Sequence, residues 1–264
     1  MSIERILFVN QEITPYVETS YMSIVGRYLP QSIQEKGIDI RTFMPRYGII
    51  NERRNQLHEV IRLSGQNIII NENDHMLIIK VASIQSIRMQ TYFIDNEEFF
   101  KRKAMLFEKN KFFPDNDERA IFYARGVVET VKNLGWSPDV IHCHGWISCL
   151  VPLFVKEIYK DNPLFEKSKI VYSLYNDSFD KTLRSLSSKL KSSGIPSNAA
   201  ALYKQATFKS TTKLAIDYSD AVIIGHKDVE KDICSYVTES KKPHFRHTEE
   251  QYGEEYTSLY NSII

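Results

Sequence analysis

Apolar positions in this chain fall into short continuous runs that alternate with stretches of helical spacing. Ile6-Leu-Phe-Val9 is apolar throughout, the pattern of a strand covered on both faces in a parallel sheet, and it predicts a central first strand. Met22, Val25, Leu29 and Ile33 then recur three or four residues apart, and Gly37 follows where a helix-ending glycine would sit. This predicts a helix in spite of the internal Pro30. Ile38 to Met44 alternates toward Pro45 as a second strand, completing a βαβ unit whose crossover should be right-handed.

Residues 57–95 change character. Ile68-Ile-Ile70 and Met76 to Val81 flank the turn-forming Asn71-Glu-Asn-Asp74, and a third β-rich run spans Met89 to Ile94, so this region is expected to be an antiparallel β-hairpin insertion. From Asp117 onward, Ile121, Ala124, Val128, Val131 and Leu134 form one apolar stripe closed by Gly135 and Pro138. Asp139 to His144, Lys169 to Leu174 and Ala221 to Gly225 are further short buried runs. Leu150, Phe154 and Ile158 mark a helix, as do stretches near 199–216 and 227–237. Strands alternating with helices predict an α/β, Rossmann-like, doubly wound parallel sheet over residues 1–240, whose ligands sit beyond the carboxyl ends of the strands. Thr182 to Ala201, with its Ser pairs, Gly194 and Pro196, is expected to be a long loop, and the aperiodic residues 241–264 a terminal helix or a loose tail.

Charge narrows the function classes. Lys and Arg total 34 against 33 Asp and Glu, a net charge of +1, which offers no global field for nucleic acid or an anionic membrane. No run approaches the ~20 apolar residues that a spanning helix needs. Three cysteines without a CxxC pair argue against a disulfide framework or zinc ribbon and fit a reducing cytoplasm. Asn176-Asp-Ser178 matches a glycosylation pattern that carries no meaning without a secretory signal. Glu12 and Glu18 make no credible acid and base pair for glycoside hydrolysis, which needs two carboxylates at a set separation.

Four segments carry the chemistry: Ile6 through Glu12 and Pro15 to Leu29-Pro30; Met44-Pro-Arg-Tyr47; Asp115-Asn-x-x-Arg119 leading into a helix; and Asp139-Val-Ile-His-Cys-His-Gly-Trp146. In order and spacing, over about residues 4–235, they resemble the glycogen and starch synthase family of GT-B glycosyltransferases, which transfer glucose from a sugar nucleotide such as ADP-glucose onto an α-1,4-glucan. The resemblance implies the N-terminal half of the GT-B fold. It also implies that the Arg and Lys gripping the diphosphate belong to a second half that these 264 residues are not expected to include.

By the same resemblance, His144 would contact the transferred sugar and Asp115 would belong to the sugar site, while Asn176 stands in the family's His-Asn pair, whose His is Tyr175 here. Gly145 replaces the Asp of His-x-His-Asp-Trp. The donor loop Lys-Thr-Gly-Gly of the family reads Glu18, Thr19, Ser20, Tyr21, which removes a cation and two glycines that would let backbone N–H groups approach phosphate. Blander roles stand beside these. His144 could be a hydrogen-bonded structural histidine and Asp115 a helix-start residue; Trp146 could pack between sheet and helix rather than stack on a sugar. His142 is expected to be structural, His244 and His247 solvated. His142 and His144 lack the third ligand that zinc would need, so neither a metal nor a cofactor is expected.

Two functions remain open at this level. One is a glucosyltransferase domain that is incomplete or inactive on its own. The other is a non-catalytic descendant that binds glucan or serves regulation or assembly, favoured by the altered positions Glu18, Ser20, Tyr21, Gly145 and Tyr175. An apolar strip normally covered by a second domain also predicts self-association or a protein partner.

Overall fold

A computed structural model describes residues 3–248 and 252–264. The expected βαβ unit is present as β1 (Arg5–Asn10), α1 (Tyr21–Glu35) and β2 (Asp39–Pro45), with β1 and β2 parallel. Ser20 caps α1: its hydroxyl accepts from the Ser23 backbone N–H while Ser23 Oγ accepts from the Ser20 N–H, so two donors at the helix start are satisfied reciprocally. Met22, Val25, Leu29 and Ile33 face the sheet, and Pro30 is buried with them. Gly26 lets α1 lie directly on the turn after β1, because any Cβ there would strike the Glu12 carbonyl.

Next come β3 (His58–Glu59), β4 (Gln66–Ile70) and β5 (Asn73–Ile84), with β4 and β5 forming the expected antiparallel hairpin around Asn71 and Glu72, both at positive φ. The third run differs from expectation. As β6 (Met89–Asp95) it lies parallel to β2 and belongs to the main sheet, with β5 antiparallel on its other side. Its burial pattern is nearly continuous, as a strand covered on both faces requires.

The chain continues through α2 (Glu97–Phe100), a small hairpin of β7 (Phe107–Glu108) and β8 (Lys111–Phe112), and α3 (Asn116–Asn133). The second half alternates regularly: β9 (Val140–His144), α4 (Val151–Glu157), β10 (Lys169–Leu174), α5 (Leu186–Ser192), α6 (Ser197–Ala201), α7 (Phe208–Asp217), β11 (Ala221–Ile224), α8 (Lys231–Glu239), β12 (His244–Arg246) and α9 (Glu254–Ile263). The sheet order is β12-β11-β10-β9-β1-β2-β6-β5-β3. Read from β6 across to β12, this is a doubly wound arrangement whose strand order reverses between β1 and β9. Asp139 pins that junction, its carboxylate accepting the backbone N–H groups of Glu4 at 2.8 Å and Arg5 at 2.9 Å. Among the described residues no helix is long and apolar enough to cross a membrane.

Two segments are more ordered than their sequence suggests. The region 182–201 is no open loop: Leu186 and Leu190, one turn apart on α5, are buried, as are Ile195, Ala199 and Ala200. The helical stretch expected near 199–216 is correspondingly broken between α6 and α7. Of the terminal helix or loose tail expected over 241–264, the helix is present and packs on the core, and a parallel edge strand precedes it, with Val222, Ile223 and Ile224 opposite His244, Phe245 and Arg246. Tyr256 and Tyr260 of α9 are fully buried, and Ser32 of α1 and Lys36 just after it bond to Tyr252 and Thr257.

Tyr260→Ala is therefore expected to cost about 3–5 kcal/mol, the usual effect of removing a buried aromatic ring. Urea unfolding measures it, and a loosely attached tail would give less than about 0.5 kcal/mol.

Candidate functional site

Strand order reverses between β1 and β9, so the crevice beyond their carboxyl ends is where a sheet of this kind receives ligands. A cavity of about 310 Å³ opens there. Gln11 and Glu12 line it from the end of β1, Ser20, Tyr21 and Met22 from the start of α1, and Asn176 and Asp177 from the end of β10. Met105 to Phe107 close the far wall. The lining holds two carboxylates and, among the described residues, no Lys or Arg.

That far wall is positioned by Arg119. Its guanidinium is fully buried, donates to the Met105 carbonyl at 2.7 Å and to Asn116 Oδ1 at 2.5 Å, and lies over the Phe100 and Phe113 rings. Burial, with the Arg102 charge adding to it, pulls its pKa down to about 10. Asp115 stands at the N-cap of α3 without making a side-chain cap bond; its carboxylate is instead clasped by both Arg102 terminal nitrogens. Burial pushes the Asp115 pKa up, and the Arg102 contact more than offsets this and holds it below the usual range. Asp115 does not line the cavity.

The two imidazoles of β9 have different surroundings. His142 is saturated, with Nδ1 2.7 Å from Tyr260 Oη and Nε2 2.7 Å from Ser173 Oγ. His144 Nδ1 meets Tyr175 Oη at 2.9 Å, while its buried Nε2 has no hydrogen-bond partner among the described residues. The rings lie 3.9 Å apart. Burial, with His247 adding repulsion, takes the His144 pKa down to about 3, and burial also drives His142 well below its ordinary value. Neither His144 nor Tyr175 lines the cavity. His247, expected in solvent, is buried among Tyr21, Tyr252 and Tyr256, whereas His244 is exposed.

Trp146 packs: its ring is edge-on to Phe112 and Phe179, and Nε1 donates to Thr211 Oγ1 at 2.9 Å. Of the sequence candidates, Asn176, Ser20 and Tyr21 reach the cavity; Glu18 and Thr19 are exposed outside it, and Glu18 borders a separate groove with Arg54 and Asn55. Ser20 Oγ donates to Glu12 Oε2 at 2.5 Å, so a carboxylate occupies the mouth of α1 where phosphate would otherwise be attracted. Burial raises the Glu12 pKa, against the hydrogen bonds of Ser20 and Gln11.

Asp177 and Gln11 escaped the sequence reading. Asp177 Oδ2 accepts the Trp146 N–H at 2.6 Å, and Gln11 Oε1 accepts the Ile147 N–H at 3.1 Å. Together they cap the single turn after Gly145, a residue at φ 79. A Cβ at Gly145 would lie 2.8 Å from Met22 Sδ and 2.9 Å from the Gln11 side chain. A side chain at this position would have to displace Met22 and Gln11 from a backbone at positive φ, and Asp177 supplies a carboxylate to this turn from the loop after β10. Burial lifts the Asp177 pKa to about 6, the Trp146 bond lowering it and the Glu12 charge adding to the rise.

A model of the starch synthase catalytic domain matches residues 5–246. The chain belongs to that family. Similar relatives include glycogen synthases from Chlorobium luteolum, 39% identical over 174 residues, and Chlorobaculum parvum, 41% identical over 175. Each alignment covers 65% of this chain and 36% of the relative, so the chain spans about a third of their length. Among solved structures, the catalytic domain of Starch Synthase IV from Arabidopsis thaliana superposes with a TM-score of 0.73 at 18% identity, covering 93% of this chain and 51% of that one. The sheet described above is therefore the fold of one half of a starch synthase catalytic domain.

The raised Asp177 pKa has a testable sign. Between the unfolded value of 3.8 and about 6 the folded state keeps a proton that the unfolded state has lost, so Asp177 favours folding at low pH and this contribution disappears as pH rises through about 6. Asp177→Asn keeps an acceptor for Trp146 but removes the titration. Relative to the parent, it should lose about 1.4 kcal/mol per pH unit between pH 6 and 4 in urea unfolding, and parallel curves would show that Asp177 ionises normally.

Proposed function

We propose that this domain supplies the sugar-side half of an α-1,4-glucan synthase, in which glucose passes from a sugar nucleotide such as ADP-glucose to the end of a glucan chain. The observation that carries the reading is the cavity at the β1/β9 reversal. Asn176, Asp177, Gln11 and Glu12 offer it amide and carboxylate groups suited to sugar hydroxyls, and Tyr21 and Phe107 offer ring surface. Family membership supports it, and the Arabidopsis starch synthase structure holds ADP and acarbose. Asn176 and Asp177 would bond the sugar directly. In this reading His144 acts from outside the lining, its Nδ1 held by Tyr175 Oη.

Transfer from a nucleotide leaves a diphosphate, and that departing charge needs cations aimed at it. Glu12 and Asp177 would repel it. In this reading the cations come from a partner chain closing over the crevice, and the chain works in the cytoplasm beside its sugar nucleotide.

Calorimetric titration with maltotetraose tests the sugar site. Asn176 is exposed, so Asn176→Ala should leave the unfolding midpoint unchanged yet weaken glucan binding about fivefold, the loss of one sugar hydrogen bond worth about 1 kcal/mol. The 264-residue chain alone should release no ADP from ADP-glucose in the presence of maltotetraose. Failure to bind glucan at millimolar concentration, or rapid ADP release, would sink the proposal.

A further inference from the structure

A second and larger cavity, of about 800 Å³, lies on the other side of the β7–β8 hairpin. The two-residue strand divides its side chains between the two spaces, Phe107 toward the sugar cavity and Glu108 toward this one, as strand alternation requires. Its opposite wall is the segment 181–185 leading into α5. Lys109, Lys111, Lys181 and Arg184 line it, all exposed, and none makes an ion pair among the described residues. The nearby acids are already engaged. Lys189 bridges Asp117 at 2.7 Å and Glu118 at 2.8 Å, which leaves Glu108 as the one acidic lining residue without an ion pair among those described. Phe112, Phe113, Pro114 and Leu183 form an apolar floor.

Four unpaired cations converging on one concavity are unusual in a chain whose net charge is only +1. They attract one another's counter-ions and repel one another, an arrangement that a bound polyvalent anion stabilises. A single carboxylate would neutralise one of them, whereas a phosphate monoester carries roughly −1.5 to −2 charges and three acceptor oxygens. Lys109 and Asn110, both at positive φ, form the tight hairpin turn that holds Lys109 and Lys111 at the rim. The engaged acids around α3 bound the patch on one side, so the positive surface is a pocket rather than a track for a nucleic-acid backbone. Its volume lies within the range of small-ligand pockets, and the apolar floor suits a ring.

We propose that this cleft binds a phosphate monoester of a sugar or nucleoside, with Lys109, Lys111, Lys181 and Arg184 around the phosphate and the ring laid on Phe113, Pro114 and Leu183. The site is separate from the sugar cavity and shares the hairpin with it, so occupancy would fix the Met105 to Phe107 wall.

Calorimetric titration of the full chain with glucose 6-phosphate and with AMP tests this, the two arms distinguishing sugar from nucleoside esters. At least one ester should bind in the micromolar to low millimolar range. Lys109→Gln/Lys111→Gln and Lys181→Gln/Arg184→Gln should each weaken it about tenfold or more, through lost charge-assisted bonds. Because these side chains are exposed, both double variants should keep the parent unfolding midpoint, and Asn176→Ala should keep ester affinity. Binding of neither ester, equal affinity for inorganic phosphate, affinity unchanged in both double variants, or affinity lost only in Asn176→Ala would each overturn the proposal.

Discussion

Strand β9 carries two imidazoles into a layer from which water is excluded, and the surrounding architecture keeps both neutral. With the rings 3.9 Å apart, two positive charges could not share that space. Each partner comes from a different element: Ser173 from β10, Tyr260 from α9, Tyr175 from the turn after β10. These bonds tie the centre of the sheet to the last helix of the chain, across 118 residues in the case of His142 and Tyr260. The crevice above inherits its geometry from this arrangement, because Gln11 donates its backbone N–H to the His144 carbonyl at 3.0 Å.

Electrostatics then divides the molecule into two unlike spaces. At the strand-order reversal, burial raises the pKa of Glu12 and of Asp177, and the α1 terminus is covered by Ser20 and Glu12 instead of being open to anions. Across the β7–β8 hairpin the lining is basic. The crevice at the start of α1 is thus acidic, and the cationic lining lies on the far side of the hairpin.

Much of this was legible in the sequence, for physical reasons. Strands β1, β9, β10 and β11 are buried on both faces and so read as unbroken apolar runs; α1 and α3 show their buried stripes directly. What escaped notice was held by partners distant in sequence. In α5, Leu186 and Leu190 lie among serines and lysines, and β12 spans only His244–Arg246, too short for any period. The segment Met89 to Ile94 resembles a hairpin strand in composition, and only its pairing with β2 makes it parallel. At the site, motif correspondence found Asn176 but not Asp177, since Asp177 takes its importance from a turn 31 residues away. Correspondence also could not tell that Asp115 is engaged by Arg102, nor that Tyr175 holds His144 Nδ1.

Gly145 couples the turn above β9 to the residues around it. Met22 and Gln11 lie within 2.8–2.9 Å of where a Cβ on Gly145 would be, and the backbone there has φ 79. An aspartate returning there by a single codon change would meet a sulfur atom, an amide side chain and a left-handed backbone together. A side chain at this corner therefore cannot be added in isolation: Met22 and Gln11 must move with it, and the carboxylate that the turn uses comes from Asp177 on the neighbouring loop.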